Sequence, residues 1–354
     1  MTSVLVAMSG GVDSSVAAAL MKDEGHDVIG VTLKLWEGSG GAAPTAGCCT
    51  VSDSEDARRV AAQLDIPYYV LDHTDVFMGG VVDRFIGDYL SGLTPNPCIE
   101  CNRTVKFTEL MVRAREFGCD AVVTGHYAQV RRERGAWRLF RSVDEAKDQS
   151  YVLSMLGQDQ LANLRFPVGP LTKPQVRDLA RGLGLRTAGK PDSQDICFVG
   201  NRDYRDFLAD HSRQTVRQGT IVDQDGAVVG THAGVTNFTI GQRKGLGIAV
   251  GEPRFVTRID PHTATVTIGR RADLEVGEVG LRDVSWVADP VESGASVTVQ
   301  YRAHGALVPA VVHVDPDNVV MVFDEPQLAI APGQTAAIYA GREVLGGGII
   351  SSSG

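Results

Sequence analysis

Short apolar strand patterns alternate with helical patterns from residue 3 to residue 124, and this alternation constrains the fold more than any other feature. The strand patterns are Ser3–Met8, Val28–Leu35, Tyr68–Leu71 and Ala121–Thr124. The helical patterns are Asp13–Asp23, Ser52–Leu64 and Lys106–Phe117, and the second would begin with a capping box of Ser52 and Glu55. Strands that alternate with helices form a parallel sheet covered on both faces. We therefore predict a doubly wound α/β domain.

The pattern changes in the second half of the chain. Two more helical segments, Tyr151–Leu156 and Pro174–Leu183, are followed from Gly219 by short β-type runs such as TVTIG and VVMVF. Asp-Gly, Asp-Pro and Pro-Gly turns separate these runs, as in small barrels. Because 354 residues exceed what one core usually organises, we predict three domains. They are an α/β domain (1–200), a central β-rich domain (201–280) and a C-terminal β-barrel (281–354).

Charge and the first residues limit the classes of protein. The opening MTSVLVAMSGG lacks the basic start of a signal peptide, and its apolar run is too short to span a membrane. We therefore expect a cytoplasmic protein with no membrane partner and with reduced cysteines. A net charge of -9 disfavours nucleic acid as a binding partner, so RNA binding would require a local basic face.

The first strand–helix junction reads SGGVDSS, from Ser9 to Ser15. Glycines at such a turn let the backbone approach a ligand closely, and the N–H groups at the helix start attract phosphate. Three serine hydroxyls add donors. The stretch lacks the lysine of a Walker loop and does not match GxGxxG. It indicates an anion site at the start of the first helix.

This junction resembles the pyrophosphate-loop signature SGGxDS of the ATP pyrophosphatases. These enzymes split ATP into AMP and pyrophosphate while they adenylate a carbonyl oxygen. The resemblance implies ATP as a substrate and Asp13 as a ligand of Mg²⁺, which prefers carboxylate and phosphate oxygens. The residues that it places around the nucleotide are Ala7, Met8, Ser9, Gly10, Gly11, Val12, Asp13, Ser14, Leu33 and Gly125.

Six further motifs narrow the resemblance. They are TPNPCIECN, GHYAQV, KDQSYVL, DSQDICFVG, FTIGQRKGLG and APGQ, and they occur in this order over nearly the whole chain. Together with the opening loop they resemble the bacterial tRNA-specific 2-thiouridylase family. The resemblance implies a transferase that adenylates the C2 oxygen of the wobble uridine (position 34) and replaces it with sulfur. The first domain would be catalytic, the central domain would bind tRNA, and a separate donor or relay protein would supply the sulfur.

The same resemblance assigns roles to two cysteines. Cys101 corresponds to the nucleophile and Cys197 to the carrier of a persulfide, and the two would close into a disulfide after transfer. Many members have aspartate where this chain has Cys98, and a thiol with an ordinary pKa of about 8.5 is mostly protonated at neutral pH. This difference leaves the acid/base role of the position in doubt. Cys98, Cys101 and Cys197 could instead hold a [4Fe–4S] cluster that binds sulfide, and both routes remain open.

The resemblance also implies a set of tRNA contacts. They are Asn96, Pro97, Cys98, His126, Lys147, Asp148, Gln149, Tyr301, Arg302 and Gln334. Arginines 131, 132, 134, 138 and 141 form a second candidate surface with Trp137 and Phe140, although a solvated basic face has the same pattern. Arg243 and Lys244 are further candidates.

The other cysteines, Cys48, Cys49 and Cys119, are interpreted as structural. Three rival functions remain: a pyrophosphate-loop enzyme that acts on a small metabolite, a non-enzymatic RNA-binding protein, and a CxxC redox protein. The first would not need Cys101 and Cys197. The second would not need the SGGVDSS loop, and the third lacks a thioredoxin-like setting.

Overall fold

The computed structural model describes residues 2–37, 51–192, 196–200, 202–212, 217–248, 251–316 and 318–353. Cys48, Cys49 and residues 193–195 of the DSQDICFVG motif lie outside the described residues. Within the described part of the chain, no helix is both long and apolar enough to cross a membrane.

A five-stranded parallel sheet forms the centre of the N-terminal domain. Its strands in chain order are β1 (Ser3–Ala7), β2 (Asp27–Lys34), β3 (Tyr68–Asp72), β4 (Ala121–Val123) and β7 (Leu164–Arg165), with a hairpin of β5 (Ala128–Glu133) and β6 (Ala136–Arg141) between the last two. The spatial order is β3-β2-β1-β4-β7. The chain therefore reverses direction across the sheet between β1 and β4, and such a switch point opens a ligand crevice at the carboxyl ends of the strands.

Helices cover both faces of this sheet, which confirms the predicted doubly wound α/β domain. They are α1 (Val12–Asp23), α2 (Val51–Gln63), α3 (Thr74–Phe77), α4 (Asp83–Leu90), α5 (Pro97–Glu100), α6 (Phe107–Glu116), α7 (Gln158–Ala162), α8 (Lys173–Gly182) and α9 (Tyr204–His211). Leu5 of β1 packs into one apolar core, whereas Val4 and Val6 pack into the core on the opposite face. This alternation is the two-residue period of a strand that is covered on both sides.

Local predictions failed at two places. The capping box at Ser52 and Glu55 is wrong, because α2 already includes Val51 and Ser52 lies inside the helix. The segment Tyr151–Leu156 forms only a 3₁₀ turn over Ser150–Leu153. The Tyr151 hydroxyl donates a hydrogen bond to the carbonyl oxygen of Thr335 at 2.9 Å, so tertiary contacts fix this segment.

The central β-rich unit is a four-stranded sheet. It contains β8 (Gly219–Val222), β9 (Val228–His232), β10 (Phe255–Asp260) and β11 (Thr265–Gly269), in the order β10-β11-β8-β9. Only the β8–β11 pair among these is parallel. Ile221, Val256 and Val266 are buried in its own small core.

A closed six-stranded antiparallel barrel follows, as predicted for the C-terminal part. Its strands are β12 (Glu275–Trp286), β13 (Ala295–Gln300), β14 (Val308–Asp315), β15 (Asn318–Leu328), β16 (Thr335–Ala340) and β17 (Glu343–Ser353). The order β12-β15-β14-β13-β16-β17 closes because β17 also pairs with β12. The boundary predicted at residue 280 falls inside β12.

The barrel is joined to the N-terminal domain by strand pairing. Glu343 and Val344 at the start of β17 pair with Phe140 and Leu139 of β6. Arg138 of the hairpin also forms a salt bridge with Glu343. Strand β17 therefore pairs with three strands, β16 and β12 of the barrel and β6 of the N-terminal hairpin.

Candidate active site

The SGGVDSS loop connects the end of β1 to the start of α1, at the switch point of the sheet. Gly10 has φ +72°, and a Cβ atom there would lie 2.2 Å from the carbonyl oxygen of Asp53. A Cβ atom on Gly125, which follows β4, would lie 2.6 Å from the backbone nitrogen of Ser14. Only glycine fits at either position without moving the backbone.

The first turn of α1 presents backbone donors. Gly11 is its N-cap and has no side chain with which to satisfy them. The loop is braced from within, because Ser14 Oγ accepts a hydrogen bond from the Ser9 backbone N–H at 3.1 Å and Ser15 Oγ donates to the Gly11 carbonyl at 2.8 Å. The positive end of the helix dipole and these N–H groups suit a phosphate group.

The predicted nucleotide contacts divide into two kinds. Ser9 and Gly11 lie on the loop itself. The side chains of Met8, Val12 and Leu33 are buried in the apolar cores, so they shape the loop rather than offer polar contacts.

Asp13 meets a lysine that the motif itself lacks. Lys173 Nζ contacts the two carboxylate oxygens of Asp13 at 2.9 and 2.8 Å, and the Tyr127 hydroxyl donates to Asp13 Oδ1 at 2.7 Å. The Lys173 side chain is only 8% exposed. Sequence reasoning missed this lysine because it stands 160 residues from Asp13. One signal was available. Lys173 is the first residue of α8, where the helix dipole disfavours a positive charge, so its position suggests a carboxylate partner elsewhere in the chain.

Asp192, the first residue of the DSQDICFVG motif, gathers three cations. Lys147, Lys173 and Arg177 approach its carboxylate at 2.7, 2.8 and 3.0 Å. Burial acts to raise the pKa of Asp192, but the hydrogen bonds and charges of Lys147 and Lys173 outweigh it and hold the pKa at about 2. Lys173 therefore links the glycine-rich loop to the segment that leads to Cys197.

A second lysine flanks the other side of the loop. Lys190 Nζ donates to the carbonyl oxygen of Gly10 at 3.1 Å and lies 2.7 Å from carboxylate oxygens of both Asp53 and Asp56. Burial acts to lower the pKa of Lys190, but hydrogen bonds to the two carboxylates raise it overall. The lysine is thus charged and fixes the backbone at Gly10.

The segment TPNPCIECN forms a tight turn of helix. Asn96 Oδ1 accepts hydrogen bonds from the backbone N–H groups of Cys98 and Ile99, at 3.2 and 3.4 Å, and Pro97 occupies the first helical position. The short helix α5 continues into a π-helical turn at Cys101–Lys106. We call residues 96–101 the thiol turn.

The thiol turn presents its two cysteines differently. Cys98 is exposed, whereas Cys101 is 7% exposed and belongs to a large apolar core. Cys197 packs against that same core, and the ring of neighbouring Phe198 lies 5.2 Å from Phe85 and 5.1 Å from Phe207. Among the described residues, no group of three or more His, Cys, Asp or Glu side chains is arranged to hold a metal ion.

Several predicted tRNA contacts make internal bonds. Asp148 accepts hydrogen bonds from the Ser142 backbone at 2.8 Å and from Arg141 Nε at 3.0 Å. Gln149 Oε1 accepts from the backbone N–H of Tyr127 at 2.9 Å, which positions the tyrosine beside Asp13. These side chains hold the hairpin and the loop in place.

On the barrel, Tyr301 is 8% exposed in the core, and the Arg302 guanidinium lies 5.7 Å from its ring. Gln334 donates from Nε2 to the carbonyl oxygen of Thr94 at 2.7 Å. Both Tyr301 and Gln334 therefore have structural partners within the chain.

The arginine-rich hairpin is only partly available to a ligand. Arg138 and Arg141 are paired with Glu343 and Asp148. The exposed members are Arg131, Arg132 and Arg134, and Arg243 and Lys244 of the central unit are exposed as well.

His126 lies beneath the site between two aromatic rings. Its ring is 5.8 Å from that of Phe107 and 5.9 Å from that of Phe166, and Nδ1 lies 2.7 Å from Thr124 Oγ1. Burial, with a smaller effect of the Lys106 charge, lowers the pKa of His126 to about 3. The ring is therefore neutral at pH 7.

The lowered pKa of His126 predicts a loss of stability in acid. Below pH 6.5 the unfolded chain binds a proton at His126 that the folded chain excludes, so the free energy of unfolding falls as pH falls. This single group is expected to lower it by about 2 kcal/mol between pH 7 and pH 5. Urea unfolding of the parent and of His126→Asn at both pH values measures the effect. Identical pH dependence in the two proteins would contradict it.

Comparisons with known proteins agree with this arrangement. Three family models match in order: a tRNA methyl transferase HUP domain (residues 2–201), a tRNA methyl transferase PRC-barrel domain (205–270) and an aminomethyltransferase beta-barrel domain (276–350).

Curated relatives match over the full length. Proteins named tRNA-specific 2-thiouridylase from Roseiflexus castenholzii and Clostridioides difficile are 47% and 45% identical to this chain. Each alignment covers 99% of this chain, and 100% and 98% of the relative, respectively. The protein of that name from Moorella thermoacetica is 47% identical over 98% of this chain and 99% of its own length. The chain belongs to the tRNA-specific 2-thiouridylase family.

Proposed function

We propose that the protein is an ATP-dependent tRNA-uridine 2-sulfurtransferase that makes 2-thiouridine at the wobble position. The observation that carries the proposal is the full-length similarity to proteins named for this activity, at 45–47% identity. The site supports it independently. A phosphate-binding loop with a buried lysine and a turn with two cysteines belong to one α/β domain, and this chemistry needs both.

The first step in this proposal is transfer of AMP from ATP to the C2 oxygen of uridine. The glycine-rich loop would bind the pyrophosphate portion through the N–H groups at the start of α1. Asp13 would share its carboxylate between Lys173 and Mg²⁺, and the ion would neutralise phosphate charge when bound. Lys173 and Lys190 lie on the two sides of the loop and would balance the charge of the leaving pyrophosphate.

The second step exchanges oxygen for sulfur. The terminal sulfur of a persulfide on Cys197 would attack C2 and displace AMP. The Cys101 thiolate would then attack Cys197 Sγ, break the S–S bond and leave the terminal sulfur on the base. A Cys101–Cys197 disulfide results, and a thiol reductant would restore both thiols. The packing of Cys101 and Cys197 at one apolar core supports this pairing.

The tRNA substrate would bind along exposed basic side chains. Arg131, Arg132 and Arg134 on the hairpin, with Arg243 and Lys244 on the central unit, are exposed and available for phosphate contacts. A donor or relay protein of sulfur would load Cys197. The acidic net charge of -9 implies that tRNA binds through such local patches and weakens steeply with salt.

Incubation with unmodified tRNA, ATP, Mg²⁺ and a persulfide donor tests the proposal. We expect tRNA-dependent AMP release and 2-thiouridine in the digested tRNA, and neither with a tRNA that has cytidine at the wobble position. AMP release driven by a small metabolite without tRNA would favour another pyrophosphate-loop enzyme. A methylated nucleoside formed from a methyl donor would favour a tRNA methyltransferase, the activity for which the first matching family model is named.

A further inference from the structure

We propose that the C-terminal barrel positions the thiol turn of the N-terminal domain, and that Gln334 is the positioning residue. The contact consists of hydrogen bonds between the APGQ loop of the barrel (331–334) and the TPNP segment (94–97). Its effect on catalysis rests on the proposed function of Cys101.

The two segments are bonded in both directions. Gln334 Nε2 donates to the carbonyl oxygen of Thr94 at 2.7 Å, with a longer contact of 3.5 Å to that of Pro95. In return, the Thr94 backbone N–H donates to the carbonyl oxygen of Pro332 at 2.8 Å. Both backbone polar groups of Thr94 are therefore held by the barrel.

The barrel side of this contact is itself fixed. The Gly333 N–H donates to the Ile350 carbonyl, and the Ile350 N–H donates to the Gln334 carbonyl, both at 2.8 Å, so the loop is tied to β17. Gly333 has φ +92°, and a Cβ atom there would lie 2.8 Å from the Thr94 nitrogen. The loop approaches so closely that only glycine fits.

The contact acts on the thiol turn through Asn96. This residue follows Thr94 and Pro95 and caps α5 by accepting from the N–H groups of Cys98 and Ile99. The Tyr151 hydroxyl, which lies near Asn96, donates to the Thr335 carbonyl of the barrel at 2.9 Å. A shift of Thr94 would therefore move the cap, and loss of a cap loosens the first turn of a helix.

A second, independent link reaches the same turn. Asp283 of β12 lies 3.7 Å from Arg84, and Arg84 contacts Glu100 at 3.0 Å. Glu100 stands between the two cysteines of CIEC, is 12% exposed, and is also paired with Arg103 at 3.0 Å. A loop and a strand of the barrel thus reach the turn through separate residues.

This arrangement separates two roles for Gln334. If Gln334 serves to bind tRNA, its replacement weakens tRNA affinity and leaves the thiol turn unchanged. If it positions the turn, its replacement changes Cys101 and leaves tRNA affinity nearly intact. Its amide donor is already used by Thr94, which favours the second role.

The test compares Gln334→Met with Gln63→Met. Methionine keeps the length of glutamine and removes the donor. Gln63 is the control, because its Nε2 also donates to a backbone carbonyl at 2.7 Å, that of Leu183, and this bond joins the ends of α2 and α8 in the N-terminal domain. The readouts are the alkylation rate of Cys101 by iodoacetamide, located by peptide mass mapping, and the Kd for tRNA, with thermal unfolding as a check on folding.

For Gln334→Met we expect alkylation of the buried Cys101 to accelerate by about fivefold, the factor that a typical hydrogen bond contributes to local opening. The Kd for tRNA should change by less than about twofold, and Gln63→Met should match the parent in both readouts. An unchanged alkylation rate, with or without weaker tRNA binding, would overturn the proposal.

If Gln334→Met does not fold, Asp283→Asn tests the second link. Asp283 has φ +52°, a conformation that asparagine also tolerates, and the change removes the charge that faces Arg84. Faster alkylation of Cys101 is again expected, and an unchanged rate would overturn the proposal. Alkylation requires neither ATP nor tRNA. Failure of the parent to thiolate tRNA would therefore contradict the proposed function without affecting this result.

Discussion

Replacing Cys197 with serine should abolish 2-thiouridine formation while tRNA-dependent pyrophosphate release in a single turnover stays near the parent rate, because adenylation precedes the attack of sulfur. A serine hydroxyl does not accept sulfur as a persulfide, so the carrier is lost. The loss of thiolation should be on the order of 10⁴-fold or more, as for other removed nucleophiles. The SGGVDSS loop keeps all its residues in this variant, and Cys197 packs against the apolar core that contains Cys101.

The measurement needs two quantities from one reaction, pyrophosphate and 2-thiouridine. Cys119→Ser is the control, because Cys119 is a partly buried thiol just beyond the end of α6 and has no proposed role. Thiolation at the parent rate by Cys197→Ser would eliminate the persulfide role. Loss of pyrophosphate release together with thiolation would show that Cys197 is needed for adenylation as well.

Lys173→Met should lower the maximal rate of pyrophosphate release by about 10²- to 10³-fold, the usual effect of removing one charged group that stabilises a transition state. Lys173 is the buried cation between Asp13 and Asp192, with Nζ at 2.8 Å from an oxygen of each. Without it, the Asp13 carboxylate loses its cation, whereas Asp192 keeps Lys147 and Arg177. The variant should therefore have a higher KM for ATP and a lower kcat.

Pyrophosphate release at saturating ATP and tRNA measures this effect, and thermal unfolding confirms that the variant is folded. Lys34→Met is a suitable control. Lys34 is also paired with two carboxylates, Glu37 and Asp72, but it is 36% exposed and is the last residue of β2, beside the edge strand β3. A Lys173→Met enzyme with the parent's kcat would contradict the role that we give to Lys173.

The sequence predicted the parts of this molecule that depend on local pattern. The apolar runs of β1, β2 and β4 alternate with helices, and burial on both faces of the sheet explains why these strands are almost continuously apolar. The SGGVDSS loop was recognisable because its glycines and hydroxyls are adjacent in the chain. For the second half, only a high content of β-strands was predictable, because strand order depends on pairing between distant residues.

The site contacts that sequence reasoning missed share one physical cause, which is long-range contact. No local pattern shows that Lys173 reaches Asp13 or that Gln334 reaches Thr94, residues that are 160 and 240 positions apart. Asp148 and Gln149 stand in a motif that suggested RNA contact, yet their side chains make bonds inside the domain. The assignment of these residues to tRNA stays a prediction.

The shared strand β17 has a consequence for biosynthesis. Arg138 of β6 and Glu343 of β17 are 205 positions apart, so the ribosome must add more than half of the chain before β6 gains its second neighbour. Until then the nascent hairpin offers an open strand edge, which favours pairing with other chains. Contacts of such long sequence separation also slow folding. We therefore expect an N-terminal fragment that stops near residue 200 to aggregate, and the enzyme to complete its catalytic domain only after the barrel has been translated.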